Sequence, residues 1–173
     1  PHGARPRCAS SAEKRAIART TAASIDSLWR RSARVRKRDE SLDAGGFAIG
    51  HNGNLTNGLT LRRQLVRDGA MMQSTTDTEV SLHLFARSKA PTIEGAIVEA
   101  LSQVRGAFSL AMMTKDRLIA ARDPHGFRPL ALGRLGDASV VCSETCALDL
   151  IGATYVRDIE PGEVYVVGPA GPR

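Results

Sequence analysis

The stretch "HNGNLTN", residues 51–57, sets several carboxamides around one glycine, between the apolar run Phe47-Ala48-Ile49 and the amphipathic "GLTLRRQLVRDG" of residues 58–69. A side-chain amide and a neighbouring glycine N–H can aim at one oxygen, because a residue without Cβ lets the backbone turn its N–H inward. Such a pair, from Asn52 and Gly53, would form an oxyanion hole, and one donor of that kind is worth about 3 kcal/mol of barrier in acyl transfer. The same residues also read as an Asx turn leading into a helix, since Asn and Gly are common turn residues.

Upstream, "GGFAIG" predicts a strand of about four to six residues that feeds the HNGN turn, and Asn57 stands where a helix N-cap would. Downstream, Leu59, Leu61, Leu65 and Val66 fall roughly on one helical face, and Gly69 supplies a left-handed stop. A second helix, "TEVSLHLFARS", follows Thr76 or Asp77 as its cap, with Val80, Leu82, Leu84 and Phe85 on a buried face. A third, "PTIEGAIVEALSQVRG", carries Ile93, Ile97, Leu101 and Val104 at helical spacing and is expected to stop at Gly106. Short strands then dominate: "AFSLAMM", "RLIAAR", "PLALG", "ASVVCS" and "EVYVVG". A short helix, "ETCALDLIG", interrupts them, with Ser143 as its expected cap. Helices followed by a run of antiparallel strands indicate an α+β layer architecture.

The 173-residue chain carries a net charge of +6, unevenly placed. Residues 1–40 hold eleven Lys and Arg against four Asp and Glu, and the remainder is near neutral. The basic segment reads as a solvated arm, and nucleic acid is an unfavoured partner. No apolar run approaches membrane-spanning length, and no signal-peptide pattern opens the chain, so a cytoplasmic location is expected. Cys8, Cys142 and Cys146 form neither a redox CxxC nor a zinc set, so no metal is expected. No GxGxxG, Walker loop, HExxH or GxSxG occurs, which removes the motifs of dinucleotide, phosphate-loop, zincin and hydrolase-elbow chemistry.

"STTDTEV", residues 74–80, places Asp77 at a helix start twenty-five positions after Asn52. An unpaired carboxylate there can cap the helix or face a ligand ammonium. "HNGNLTN", a helix and then "STTDTEV" together resemble the glutaminase domain of class II glutamine amidotransferases. "ARDPHGFRPLALG", "VCSETCALDLIGA" and "VRDIEPGEVYVV" are similar to the glutaminase half of the amidophosphoribosyltransferase family, over about Gly45 to Val167.

The resemblance implies a partial four-layer α-β-β-α sandwich of the N-terminal-nucleophile hydrolase type. It implies that Asn52 and Gly53 form the oxyanion hole, that Asp77 holds the α-ammonium of glutamine, and that an N-terminal cysteine attacks the carboxamide. Ammonia would then displace pyrophosphate from phosphoribosyl pyrophosphate in a second domain, the first step of purine synthesis. Residues 1–44 match no family segment, and their Arg-Ala-Ser bias is what a GC-rich gene read in the wrong frame yields. Cys8 is preceded by seven residues and followed by Ala-Ser-Ser, so no nucleophile is identified, and Arg19 lacks the context of the family's carboxylate-gripping arginine.

The expected organisation is therefore an unmatched basic segment over 1–44, a partial glutaminase domain over 45–168 and a tail over 169–173. The transferase domain is expected to be absent. With it would go the phosphoribosyl pyrophosphate site and Mg2+, which leaves glutamine as ligand, no cofactor, no glutaminase activity alone, and a homo-oligomeric parent enzyme. Two alternatives stand beside this: another class II amidotransferase, or a non-catalytic, basic-armed nucleic-acid-binding protein. Asp123, Pro124 and Gly126 read as a turn between strands, His83 as a partner of Glu79, and the four methionines at 71, 72, 112 and 113 as core filling.

Overall fold

The computed structural model describes residues 47–169 and 171–172. The chain runs β1 (Ala48–Leu55), α1 (Gly58–Arg67), α2 (Asp77–Arg87), α3 (Ile93–Ser102), β2 (Gly106–Met113) and β3 (Leu118–Arg122). It continues with β4 (Ala131–Leu135), β5 (Ala138–Cys142), α4 (Cys146–Ile151), β6 (Thr154–Asp158), β7 (Val164–Gly168) and β8 (Gly171–Pro172). The basic segment and Cys8 and Arg19 within it lie outside the described residues.

Two antiparallel sheets form. The first has the order β1-β2-β3-β7-β8 and the second β5-β4-β6. In the first sheet Asn52 lies opposite Ser109 and Gly53 opposite Phe108, while Ser109 faces Arg122 on the next strand. Side chains alternate between the faces of a strand, so the sheet has two differently buried sides. Leu55, Phe108, Leu110, Met112, Ile119, Ala121 and Val166 pack against the three helices. Ala120 and Tyr165 point the other way and join Leu130, Leu132 and Ile159 between the sheets. β3 is central, with Ile119, Ala120 and Ala121 fully buried. Beyond the second sheet lies α4, seated by the buried Leu148. The layers are helices, sheet, sheet and a short helix, as the resemblance implies.

Helix α2 buries Val80, Leu82, Leu84 and Phe85 as its spacing predicts, each worth about 1.5–3 kcal/mol of apolar burial. α1 departs from expectation. Only Leu65 of its four apolar residues is buried and Leu61 is half-buried, while Leu59 and Val66 are exposed. Four apolar residues within eight positions span more of the helix circumference than one sheet covers. α3 ends at Ser102, earlier than expected, and Gly106 opens β2 instead of stopping the helix. The Asn57 side chain causes the break: its amide donates to Gln103 O at 2.8 Å and its oxygen accepts from Arg105 N–H at 2.9 Å. Asn57 thus occupies the N-cap position of α1 without capping it. Thr145, not Ser143, precedes α4. Met112 is buried, Met72 packs at the edge of the core, and Met71 and Met113 are exposed, so half of the expected methionine filling is surface. No described helix is long and apolar enough to cross a membrane.

Candidate functional site

"HNGN" is strand, not turn. β1 passes through all four residues in unbroken register with β2. Among the described residues β1 is an edge strand, so its backbone groups divide between β2 and an open side. Thr56 N–H donates to Arg105 O at 2.8 Å, toward the β2 side. Leu55 N–H points the opposite way and donates to Asp77 Oδ2 at 2.9 Å. Successive N–H groups alternate along a strand, so those of Gly53 and His51 share the open side with Leu55.

Gly53 is required at its position twice over. Its φ is +145°, and a Cβ there would lie 2.1 Å from Ala107 O of the paired strand. Asn52 is exposed on the face turned toward the second sheet, and its amide has no hydrogen-bond partner among the described residues. One free carboxamide and the next residue's outward N–H are thereby side by side.

Asp77 is the first residue of α2, and its carboxylate lies along the same edge two residues beyond Gly53. Two residues of strand span about 6.7 Å. Glutamine carries its α-nitrogen about 5 Å from its carboxamide carbon when extended, the span of a four-bond zigzag of bonds near 1.5 Å. Gly58, the first residue of α1, leaves room for the acid: a Cβ there would meet Asp77 Oδ1 at 2.7 Å.

His51 is a residue that sequence reasoning passed over. It is half-buried on the helix-facing side, and its Nε2 is buried with no hydrogen-bond partner among the described residues. Burial lowers its pKa from the ordinary 6.5, opposed by the Asp77 carboxylate and assisted by the Arg128 guanidinium. The imidazole is therefore neutral at pH 7. The signal that finds it is strand alternation, which puts residues 49, 51 and 53 on one side.

The loop beyond β3 abuts the same row of the sheet. Asp123, fully buried, donates its backbone N–H to the carbonyl of Phe108, the partner of Gly53, at 2.9 Å. Its carboxylate accepts the N–H groups of Phe108, His125, Phe127 and Arg128 at 3.0–3.4 Å. Burial pushes this carboxyl up, and the four N–H donors outweigh it, so its pKa is lowered. Arg122 binds the carbonyls of Arg128, Ile159 and Gly126 at 2.7–3.1 Å. The expected turn is thus a rigid knot joining the two sheets. His83 Nε2 stands 4.0 Å from Glu79 Oε1, as expected. Cys142 ends β5 of the second sheet and Cys146 starts α4 beyond it, and neither is on β1. Among the described residues no three His, Cys, Asp or Glu side chains converge as a metal site requires.

Along this edge, backbone N–H groups and a free carboxamide on the strand lie near a helix-borne carboxylate. The glutamine amidotransferase domain model matches residues 38–150, and the chain belongs to that family. Within it the chain is 55% identical over 125 residues to an amidophosphoribosyltransferase of Rhizobium etli, covering 72% of this chain and 25% of that protein. It superposes with TM-score 0.72 and 46% identity on the glutamine phosphoribosylpyrophosphate amidotransferase of B. subtilis, solved with ADP and GMP, over 73% of this chain and 28% of that one. A class II glutamine amidotransferase domain protein from Silicibacter pomeroyi shares the fold alone, with TM-score 0.56 and 23% identity over 73% of this chain and 66% of that one. The fold is that of the N-terminal-nucleophile amidotransferase domain. The chain spans about a quarter of the length of the curated relatives it matches.

Proposed function

We propose that this chain carries the glutamine-binding half of an amidophosphoribosyltransferase glutaminase site. Asp77 takes the α-ammonium, and the Asn52 amide and Gly53 N–H take the oxygen of the side-chain carboxamide. In the reaction this serves, a thiolate adds to the carboxamide carbon and the carbonyl electrons move onto oxygen, where the two donors stabilise them. Collapse expels the nitrogen, which leaves protonated as ammonia, and water then cleaves the thioester to glutamate. In the enzyme class of the relatives, that ammonia would be consumed with phosphoribosyl pyrophosphate and Mg2+ on a transferase domain, at the first step of purine synthesis. A cytoplasmic, homo-oligomeric parent enzyme belongs to the same proposal.

The observation that carries the reading is the shared edge: Leu55 N–H on Asp77 Oδ2, with the Gly53 N–H two residues away on the same side. A nitrogen-15 amide NMR titration of the whole chain with L-glutamine tests it. Saturable shifts of the Gly53, Leu55 and Asp77 amides are expected, lost in Asp77→Asn and absent with glutaramate, which lacks the ammonium. Shifts scattered over the surface, or none at millimolar glutamine, would overturn the assignment.

A further inference from the structure

Glu79 is a carboxylate buried at 8% exposure with no part in the site's proposed contacts. It lies three residues after Thr76, which precedes α2, so Thr76-Asp77-Thr78-Glu79 has the sequence of a capping box. Neither side-chain bond of that box forms. Thr76 makes no side-chain cap bond, and its hydroxyl meets Ser74 Oγ at 2.9 Å.

Glu79 reaches past the cap. Its Oε1 accepts the N–H of Gln73, and its Oε2 accepts the N–H of Ser74 at 2.8 Å and the hydroxyl of Ser74 at 2.9 Å. Arg62, from α1, lies 3.4 Å from Oε2 and also donates to Ser74 O. The backbone N–H and C=O of Ser74 and its hydroxyl are therefore all engaged. Three residues later the chain delivers Asp77 to Leu55 N–H. A charged carboxylate with several donors is among the stiffest polar contacts a protein makes. Here it is spent on the segment ahead of α2, while the apolar face of α2 is already fixed by Val80, Leu82, Leu84 and Phe85. Burial raises the Glu79 pKa, and the donors from Gln73, Ser74 and Arg62 overcome that and lower it, so the group is ionised at neutral pH.

We infer that Glu79 is a positioning residue for the candidate site: by holding Gln73 and Ser74 it fixes the path into α2, and with it the place of the Asp77 carboxylate on the β1 edge. The inference rests on the reading of Asp77 as the ammonium ligand, and its test separates the two. In the whole chain, Glu79→Gln keeps the size of the side chain and removes the charge that gathers the donors. The amide shifts of Val80, Leu82 and the β2–β3 ladder should stay within native values. The Leu55 amide proton should move upfield toward its position in Asp77→Asn, and the glutamine dissociation constant should rise about tenfold.

If Leu55 is unmoved while only residues 73–76 shift, Glu79 is a local loop staple and the inference falls. If Leu55 moves but the wild-type chain binds no glutamine, the positioning role stands and the substrate reading falls. Should Glu79→Gln not fold, Ser74→Ala removes one donor and is judged by the same Leu55 criterion, with a smaller shift expected.

Discussion

Gly58→Ala perturbs the site without removing any group that binds. The added Cβ would lie 2.7 Å from Asp77 Oδ1 and 3.4 Å from Leu55 Cβ. The first contact is roughly 0.5–0.8 Å shorter than ordinary van der Waals separation. The neighbour that must give is the Asp77 carboxylate, whose other oxygen accepts Leu55 N–H at 2.9 Å. A displacement of that size takes the bond to the limit of hydrogen bonding. A hydrogen bond to a charged group contributes about 1.5–3 kcal/mol, while alanine in place of glycine in a helix returns up to about 1 kcal/mol. A net loss of about 1 kcal/mol in urea unfolding is expected, with an upfield move of the Leu55 amide proton and three- to tenfold weaker glutamine binding. If Gly58→Ala is more stable than wild type and Leu55 is unshifted, the carboxylate is not held where the geometry places it.

Acid should destabilise the protein in two steps. Because burial lowers the His51 pKa, the unfolded state binds the proton first, so stability falls as pH drops below about 6.5, and His51→Gln should remove that step from a urea-midpoint profile. Glu79 and Asp123, lowered below 4.5 and 3.8, contribute stability above those values that is lost as pH falls through their folded pKa, and Glu79→Gln should flatten part of this second step. Asp123→Asn replaces an acceptor of four N–H groups by an amide that turns donors toward some of them, and should cost about 3 kcal/mol in denaturant unfolding; a change under 1 kcal/mol would refute the account of the loop. The purified chain should release no glutamate from glutamine above a buffer blank, and diazo-oxo-norleucine should leave all three cysteines unmodified by mass spectrometry; a single adduct on Cys8, abolished by Cys8→Ser, would identify Cys8 as a nucleophile and overturn this.

The helices and most of the strands were legible because apolar spacing is a direct imprint of burial, as in Val80, Leu82, Leu84 and Phe85 of α2 and in the apolar run of β3, whereas the four-layer order came from the resemblance. β6 was missed because its residues are largely exposed and it carries no apolar alternation. The turn expected at HNGN was wrong for a related reason. Asn and Gly favour turns locally, but the ladder to β2 overrides that preference, and the unusual φ is absorbed by Gly53 within the strand. The position of Asp77 near Asn52 came from resemblance. Its physical agent, the Leu55 N–H, could not be read, because a backbone donor leaves no trace in the sequence. Glu79 was read only as the partner of His83, and the path of Gln73 and Ser74 reveals what else it holds.

A strand that forms a sheet edge among the described residues presents backbone groups to which a strand from another protein can pair. β1 counters this in its composition: Asn52 and Asn54 make its outer face wet, and the carboxylate of Asp77 occupies the Leu55 N–H that an incoming strand would need. Removing Asp77 therefore does more than discard the proposed ligand contact. It frees the Leu55 N–H, two residues from Gly53, and takes away the negative charge that occupies it, so the side chain to which we assign the ligand's ammonium also shields this strand edge from pairing.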